Sequence, residues 1–154
     1  MPAGLAEMDI RLYKGRHAAS PTGSHTMPTA SCLCGDVRLT TSGEPYRTGI
    51  CHCLDCRKHS GSLFGVFAIF PADAVTMEGA THQYLGRHFC PRCGSSVFSQ
   101  SDDEIEVHVG AFDAPDQFKP SYELWTIRRE AWLPPFPLKH RYERNREGGG
   151  RSED

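Results

Sequence analysis

Hydrophobic and polar positions along this chain alternate in short runs of period two, the signature of strands. Val37 and Leu39 alternate with Asp36, Arg38 and Thr40, between a turn-forming Gly35 and Gly43-Glu44-Pro45, and predict a short edge-type strand. Residues 63–70 are apolar, aromatic and β-branched on both faces and stop at Pro71, which predicts a strand covered on both sides at the centre of the core. Residues 75–78 and 81–85 flank Gly79-Ala80 and predict a hairpin, after which Gly86 leads into Phe89-Cys90 and residues 96–99 continue as a strand. Residues 104–109 alternate cleanly, placing Ile105, Val107 and Val109 inward and Glu104, Glu106 and His108 outward, with His108 on the surface. Residues 122–127 predict a further strand, and Pro134-Pro135-Phe136-Pro137 ends regular structure. No helical heptad and no internal repeat interrupts this pattern, so the predicted fold is mainly β.

Composition sets the limits of the fold. Residues 1–28 mix Gly, Ser, Pro, His and Thr without periodicity and are expected to form a flexible extension; residues 143–154, charged and carrying Gly148-Gly149-Gly150, are expected to form a mobile tail. A chain of 154 residues, 38% hydrophobic, supports one modest core, which places a single domain at 29–142. The net charge of -2, evenly mixed, gives no basic footprint for nucleic acid or a membrane surface. The longest apolar run is far shorter than a membrane span, and the N-terminus lacks a basic-then-apolar leader, so the expected location is cytoplasmic. Small or neutral partners fit this charge, and the oligomeric state is left open.

The cysteines change the picture most. Seven is an odd number that cannot be fully paired, and a reducing compartment disfavours disulfides. Cys51, Cys53 and Cys56 put three potential thiolates within six residues, a crowd best explained by a soft cation, and zinc is the natural one. Cys32 and Cys34 with Cys90 and Cys93 supply four more, a complete structural zinc shell, and leave the trio with a fourth position for something else. Gly35 and Gly94 can turn backbone amides toward those sulfurs. Closing the loop of roughly 58 residues between the two pairs costs about 3 to 4 kcal/mol, well below the ~10 to 16 kcal/mol that structural zinc supplies. The alternative division joins Cys32 and Cys34 to Cys53 and Cys56 and strands Cys51.

Three segments carry a resemblance: Ser31-Cys32-Leu33-Cys34-Gly35, Cys51-His52-Cys53-Leu54-Asp55-Cys56-Arg57-Lys58 and Phe89-Cys90-Pro91-Arg92-Cys93-Gly94, with Trp132-Leu133 as a looser fourth. Over residues 29–137 the chain resembles the glutathione-dependent formaldehyde-activating enzyme family and the related CENP-V-like zinc-binding proteins. The resemblance implies a mainly β, Mss4-like fold of several small coiled antiparallel sheets around a structural zinc site. It implies two Zn2+ ions per chain, one structural at Cys32, Cys34, Cys90 and Cys93 and one catalytic at Cys51, Cys53 and Cys56. Three thiolates already set three negative charges against two positive, so the second ion is expected to exchange more easily. The implied activity is that of a carbon–sulfur lyase or synthase, which adds a small thiol such as glutathione to a small aldehyde such as formaldehyde to give S-(hydroxymethyl)glutathione. Zinc would lower the thiol's pKa.

A non-catalytic zinc module that binds a protein partner or a thiol ligand is the alternative. A dithiol redox protein using Cys53 and Cys56 comes third, and a nucleic-acid zinc ribbon last, for want of basic excess. Near the trio, His52 and His59 are candidates for proton transfer or for plain hydrogen-bonded histidines. Arg57 and Lys58 either grip substrate carboxylates or form a solvated face. Asp55 orients a neighbour or simply turns the chain. Phe64, Phe67 and Phe70, like Trp125 and Trp132, read first as core or rim.

Overall fold

The computed structural model describes residues 27–147. The expected extension at 1–28, apart from Met27 and Pro28, and the tail from 148 onward lie outside the described residues. Strands dominate: β1 (Thr29–Ser31), β2 (Arg38–Thr41), β3 (Arg47–Cys51), β4 (Gly65–Pro71), β5 (Val75–Glu78), β6 (His82–Tyr84), β7 (Arg87–Phe89), β8 (Ser96–Ser101), β9 (Glu104–His108), β10 (Tyr122–Leu124) and β11 (His140–Arg141), with one α-helix among the described residues, α1 (Leu54–Ser60), and short 3-10 turns. They form a small sheet in the order β1-β2-β5 and a large one in the order β11-β10-β3-β4-β9-β8-β7-β6. Pairing is antiparallel except along one side of the large sheet, where β10 runs parallel to both β3 and β11.

The two faces of the large sheet divide the labour. On one face Ala68 and Phe70 of β4, Ile105 and Val107 of β9 and Phe98 of β8 pack against Val37 and Leu39 from the small-sheet side. Full burial of a side chain such as Phe70 stabilises the fold by about 1.5–3 kcal/mol, and this layer is the main core. The other face is set by alternation along the same strands. Register places Arg47 beside Ile69 and then Glu106, Gly49 beside Phe67 and then His108, and Cys51 beside Gly65, while Tyr122 and Leu124 of β10 lie next to Gly49 and Cys51. This second face carries the candidate chemistry.

Several expectations are corrected. Residues 75–78 and 81–85 do not form a hairpin: β5 pairs with β2 in the small sheet and β6 with β7 in the large one, so Gly79-Ala80 is a crossing between sheets. His108 is not on the surface. It is 8% exposed, because β9 lies inside an eight-stranded sheet whose second face is itself covered. The strand expected over 122–127 stops at Leu124, where Trp125 takes a left-handed conformation (φ 56°) and a 3-10 turn follows over Thr126–Arg128. β3 and α1 carry no amphipathic period and were not foreseen. α1 forms because the Cys53 side chain caps its N-terminus and Gly61 ends it with a left-handed turn. Residues 142–147, placed largely in the mobile tail by composition, are tied to β10 through Tyr142 N to Glu123 O (2.9 Å) and Trp125 N to Arg144 O (3.0 Å).

Candidate metal and thiol site

The seven cysteines gather into two groups. The sulfurs of Cys32, Cys34, Cys90 and Cys93 lie within 4.8 Å of one another, and so do those of Cys51, Cys53 and Cys56; none of the seven is in a disulfide. The alternative division that joined Cys32 and Cys34 to the trio is therefore not the one the fold makes.

Two similar loops build the quartet. After β1 the chain turns with Gly35 N donating to Cys32 O (3.0 Å) and Val37 N to Cys32 Sγ (3.2 Å); after β7 it turns with Gly94 N donating to Cys90 O (2.9 Å). Gly35 and Gly94 have φ of 81° and 74°, the left-handed backbone these turns require. Ser95 joins the loops, its hydroxyl accepting from Leu33 N (3.1 Å) and lying 3.2 Å from Cys93 Sγ. Sulfur separations of 3.5 Å for Cys32–Cys34 and 3.6 Å for Cys34–Cys90 approach the edge of about 3.8 Å implied by a tetrahedron with metal–sulfur bonds near 2.3 Å. This donor set fits a zinc ion, and the loops that hold it tie the small sheet to the large one.

Strand, loop and helix together build the trio. Cys51 ends β3, and Cys53 caps α1 with its sulfur accepting from Cys56 N (3.3 Å), so cap geometry itself brings Cys53 and Cys56 together. The Cys56 thiol donates to Cys51 and, against burial, holds it down to about 7, while the same contact pushes Cys56 far above the ordinary thiol range. Burial also raises Cys53. The crowded sulfurs resist ionising together, and a positive charge among them would let all three be thiolates, which is the electrostatic fit of this set to a metal ion.

A cavity of about 290 Å3 opens beside the trio, lined by Cys51 and Cys56 together with Phe67, Tyr122, Arg47 and Arg146. Its floor depends on Gly49. A Cβ there would sit 2.2 Å from the Tyr122 ring, so only glycine lets that ring lie flat across β3. Glu104 clasps Arg47 at 3.0 and 2.7 Å, and burial raises the Tyr122 hydroxyl to about 12. Glu106 also lines the cavity; burial raises its carboxyl, opposed by Arg47.

The other candidates separate clearly. His52 is fully buried and bonded to Glu123 (3.1 Å), which also meets Arg129 (3.5 Å) and Arg141 (3.3 Å), so His52 anchors the loop between Cys51 and Cys53 and is closed off from solvent. His59 stacks edge-on against His108 with ring centres 4.9 Å apart, on a separate groove. Lys58 lines the same groove, Arg57 pairs with Glu130, and exposed Asp55 meets Arg87 at 3.5 Å. Phe70 is core, Phe67 lines the cavity, and Phe64 packs on His52 and Phe136. Trp125 packs near the trio, whereas Trp132 is exposed and belongs to neither core nor cavity. Sequence reasoning missed Arg47, Glu106, Tyr122, Glu123 and Arg146. The outward positions of residues 104–108 were the available signal, had that face been read as covered.

Fold and site together define a mainly β domain organised around two thiol clusters, each with the donors of a metal site. The family model for glutathione-dependent formaldehyde-activating enzyme matches residues 27–128, and the chain belongs to that family. A Halomonas elongata relative is 36% identical, over 44% of this chain and 52% of its own length. Relatives from Penicillium rubens (25% identical; 66% and 61% covered) and Podospora anserina (28%; 53% and 44%) also match; all three are provisionally named as glutathione-dependent formaldehyde-activating enzymes. The chain spans about half the length of these relatives. A crystal structure of a Rhodobacter sphaeroides protein is 18% identical, with a TM-score of 0.47 over 58% of this chain and 91% of that one. No helix among the described residues is long and apolar enough to cross a membrane.

Proposed function

We propose that this protein catalyses the reversible addition of a small thiol to a small aldehyde, with glutathione and formaldehyde as the reactants, and that it holds two zinc ions: a structural one at Cys32, Cys34, Cys90 and Cys93 and an exchangeable one at Cys51, Cys53 and Cys56. The observation that carries this reading is that the trio has three sulfurs, one short of a tetrahedral set, and that Cys51 and Cys56 line a cavity from which a thiol could take the fourth place. Family membership and the names of the relatives agree with it.

In the reaction the sulfur lone pair forms a C–S bond to the carbonyl carbon, the C=O π pair moves to oxygen, and the thiol's proton ends on the new hydroxyl, so nothing is oxidised or reduced. Zinc at the trio, when bound, supplies a positive charge that makes the incoming thiol a thiolate at neutral pH. The chain's own residues do the rest. Phe67, Ile69 and Leu124 give the cavity apolar walls against which a small aldehyde can pack. Glu106, its carboxyl raised by burial, can hold the proton that leaves sulfur and return it to oxygen. His52, tied to Glu123, keeps the Cys51–Cys53 loop in place and takes no proton from substrate.

The test is NMR exchange spectroscopy of glutathione with formaldehyde, with and without zinc-loaded protein. Faster exchange between free and adduct glutathione supports the enzyme. A rate equal to that of buffer, with glutathione bound, would make this a thiol-binding zinc module instead.

A further inference from the structure

When a thiol adds to an aldehyde, negative charge builds on the carbonyl oxygen, and a fixed hydrogen-bond donor aimed at that oxygen lowers the barrier. Arg47 lines the cavity but is clasped by both oxygens of Glu104. Tyr122 lines it too, and the backbone fixes where its hydroxyl lies.

Tyr122 starts on β10 beside Gly49, and its ring crosses β3. A Cβ on Gly49 would stand 2.2 Å from Cζ, the ring carbon that bears the hydroxyl, and 2.4 and 2.7 Å from the two carbons next to it. The hydroxyl end of the ring therefore lies above β3, in the row that runs from Tyr122 through Gly49 to Phe67, and not at the edge of the sheet. On the same face Arg47 stands one row to one side and Cys51 one row to the other, each two residues, roughly 7 Å, along the strand. Arg146, on a strap at 142–147 that crosses back over β10, covers the ring with its guanidinium 5.7 Å from the centroid, and the residue is only 3% exposed. A second glycine does the same for Phe67: a Cβ on Gly65 would meet that ring at 2.4 Å and the Cβ of Cys56 at 3.5 Å. Two glycines thus let two rings lie against the sheet, one bringing a hydroxyl within a row of Cys51 and the other an apolar surface beside Cys56.

Arg47 donates to the Tyr122 hydroxyl. A guanidinium has no acceptor, so the tyrosine oxygen accepts in this contact and its own proton is left to be donated elsewhere. Burial, which raises the hydroxyl to about 12, keeps that proton in place at neutral pH.

We propose that Tyr122 is a catalytic residue whose hydroxyl donates a hydrogen bond to the aldehyde oxygen while a thiol held at the trio adds to the carbonyl carbon. This rests on the reading of the trio as a thiol site. Tyr122 shares its proton without giving it up: the C–S bond forms, the C=O π pair moves to oxygen, and the thiol's proton still completes the new hydroxyl.

The test measures equilibrium binding rather than turnover. Zinc-loaded protein is titrated with S-(hydroxymethyl)glutathione, kept formed by a slight excess of 13C-formaldehyde, and with S-ethylglutathione, in which a methyl group takes the place of the hydroxyl. Ligand NMR signals report both affinities. The wild type should prefer the hydroxymethyl compound by about fivefold to tenfold, the worth of one hydrogen bond. Tyr122→Phe, which keeps the ring, should bring that ratio close to one by weakening only the hydroxymethyl compound. A second measurement needs no variant: in wild-type protein labelled with 13C at tyrosine Cζ, the hydroxymethyl compound should move the Tyr122 signal and the ethyl compound should not. A ratio near one in the wild type, an unchanged ratio in Tyr122→Phe, equal movement of the Tyr122 signal by both compounds, or no binding of either overturns the proposal. Neither measurement requires catalysis, so protein that fails to speed exchange can still show the preference, and protein that speeds exchange without it keeps its function and loses this role for Tyr122.

Discussion

The quartet and the trio use the same side chain for different ends, and what surrounds each explains the difference. Four sulfurs from two loops on different sheets make a complete tetrahedral set, so a metal held there would have no room for a further ligand and its binding energy would go into holding the sheets together. Three sulfurs from one short stretch, closed by a helix cap, leave one side facing a cavity lined by apolar, acidic and basic side chains. The trio comes from one short stretch of chain, whereas the quartet forms only where two loops distant in sequence meet.

The largest effect should come from separating these roles. Cys93→Ser is expected to abolish cooperative thermal unfolding by circular dichroism, since structural zinc supplies on the order of 10 kcal/mol, while Cys56→Ser should melt close to wild type and lose exchange activity. Chelator titration should empty the trio first. Equal damage from the two substitutions, or simultaneous loss of both metals, would erase the contrast.

Next in size is Glu123, a fully buried carboxylate that meets His52, Arg129 and Arg141. Its replacement by alanine leaves buried His52 without its partner, while the more exposed Arg129 and Arg141 can turn to water, and should cost about 3 kcal/mol in urea unfolding. It should also loosen both the Cys51–Cys53 loop and the strap, and an effect confined to one of them would show that the two are not coupled.

His108 offers a pH test on the same face. Burial, aided by His59, lowers it to about 4. A histidine with a depressed folded pKa contributes stability that is fully present above its unfolded value near 6.5 and is lost as pH falls toward 4, up to about 3 kcal/mol. His108→Phe should flatten that part of the stability–pH curve relative to wild type. An unchanged slope would mean that His108 does not titrate in this window.

The smallest expected effect is at Gly49. Alanine there collides with the Tyr122 ring and should cost about 1–3 kcal/mol, with a larger loss of thiol affinity as the ring is pushed into the cavity. Wild-type affinity in Gly49→Ala would place the thiol elsewhere.

Much of this molecule was legible in its sequence. Period-two alternation identified β2 and β9, an unbroken apolar run stopping at Pro71 identified β4, and the cysteine spacings set three sulfurs apart from two pairs, because these are local properties of the chain and need no knowledge of what lies opposite. Tertiary structure alone decided the rest. Whether Glu106 and His108 face water or a covered site depends on what packs over β9, and an alternating pattern marks two faces without saying what covers either. The partner of β5 was set by the small sheet and not by the adjacent turn. The cavity's chemistry came from Arg47, Tyr122 and Arg146, residues distant in sequence that meet because β10 runs parallel to β3 and a charged, composition-poor strap returns across it. Spacing determines which side chains can share an ion; only long-range packing determines what else stands beside it.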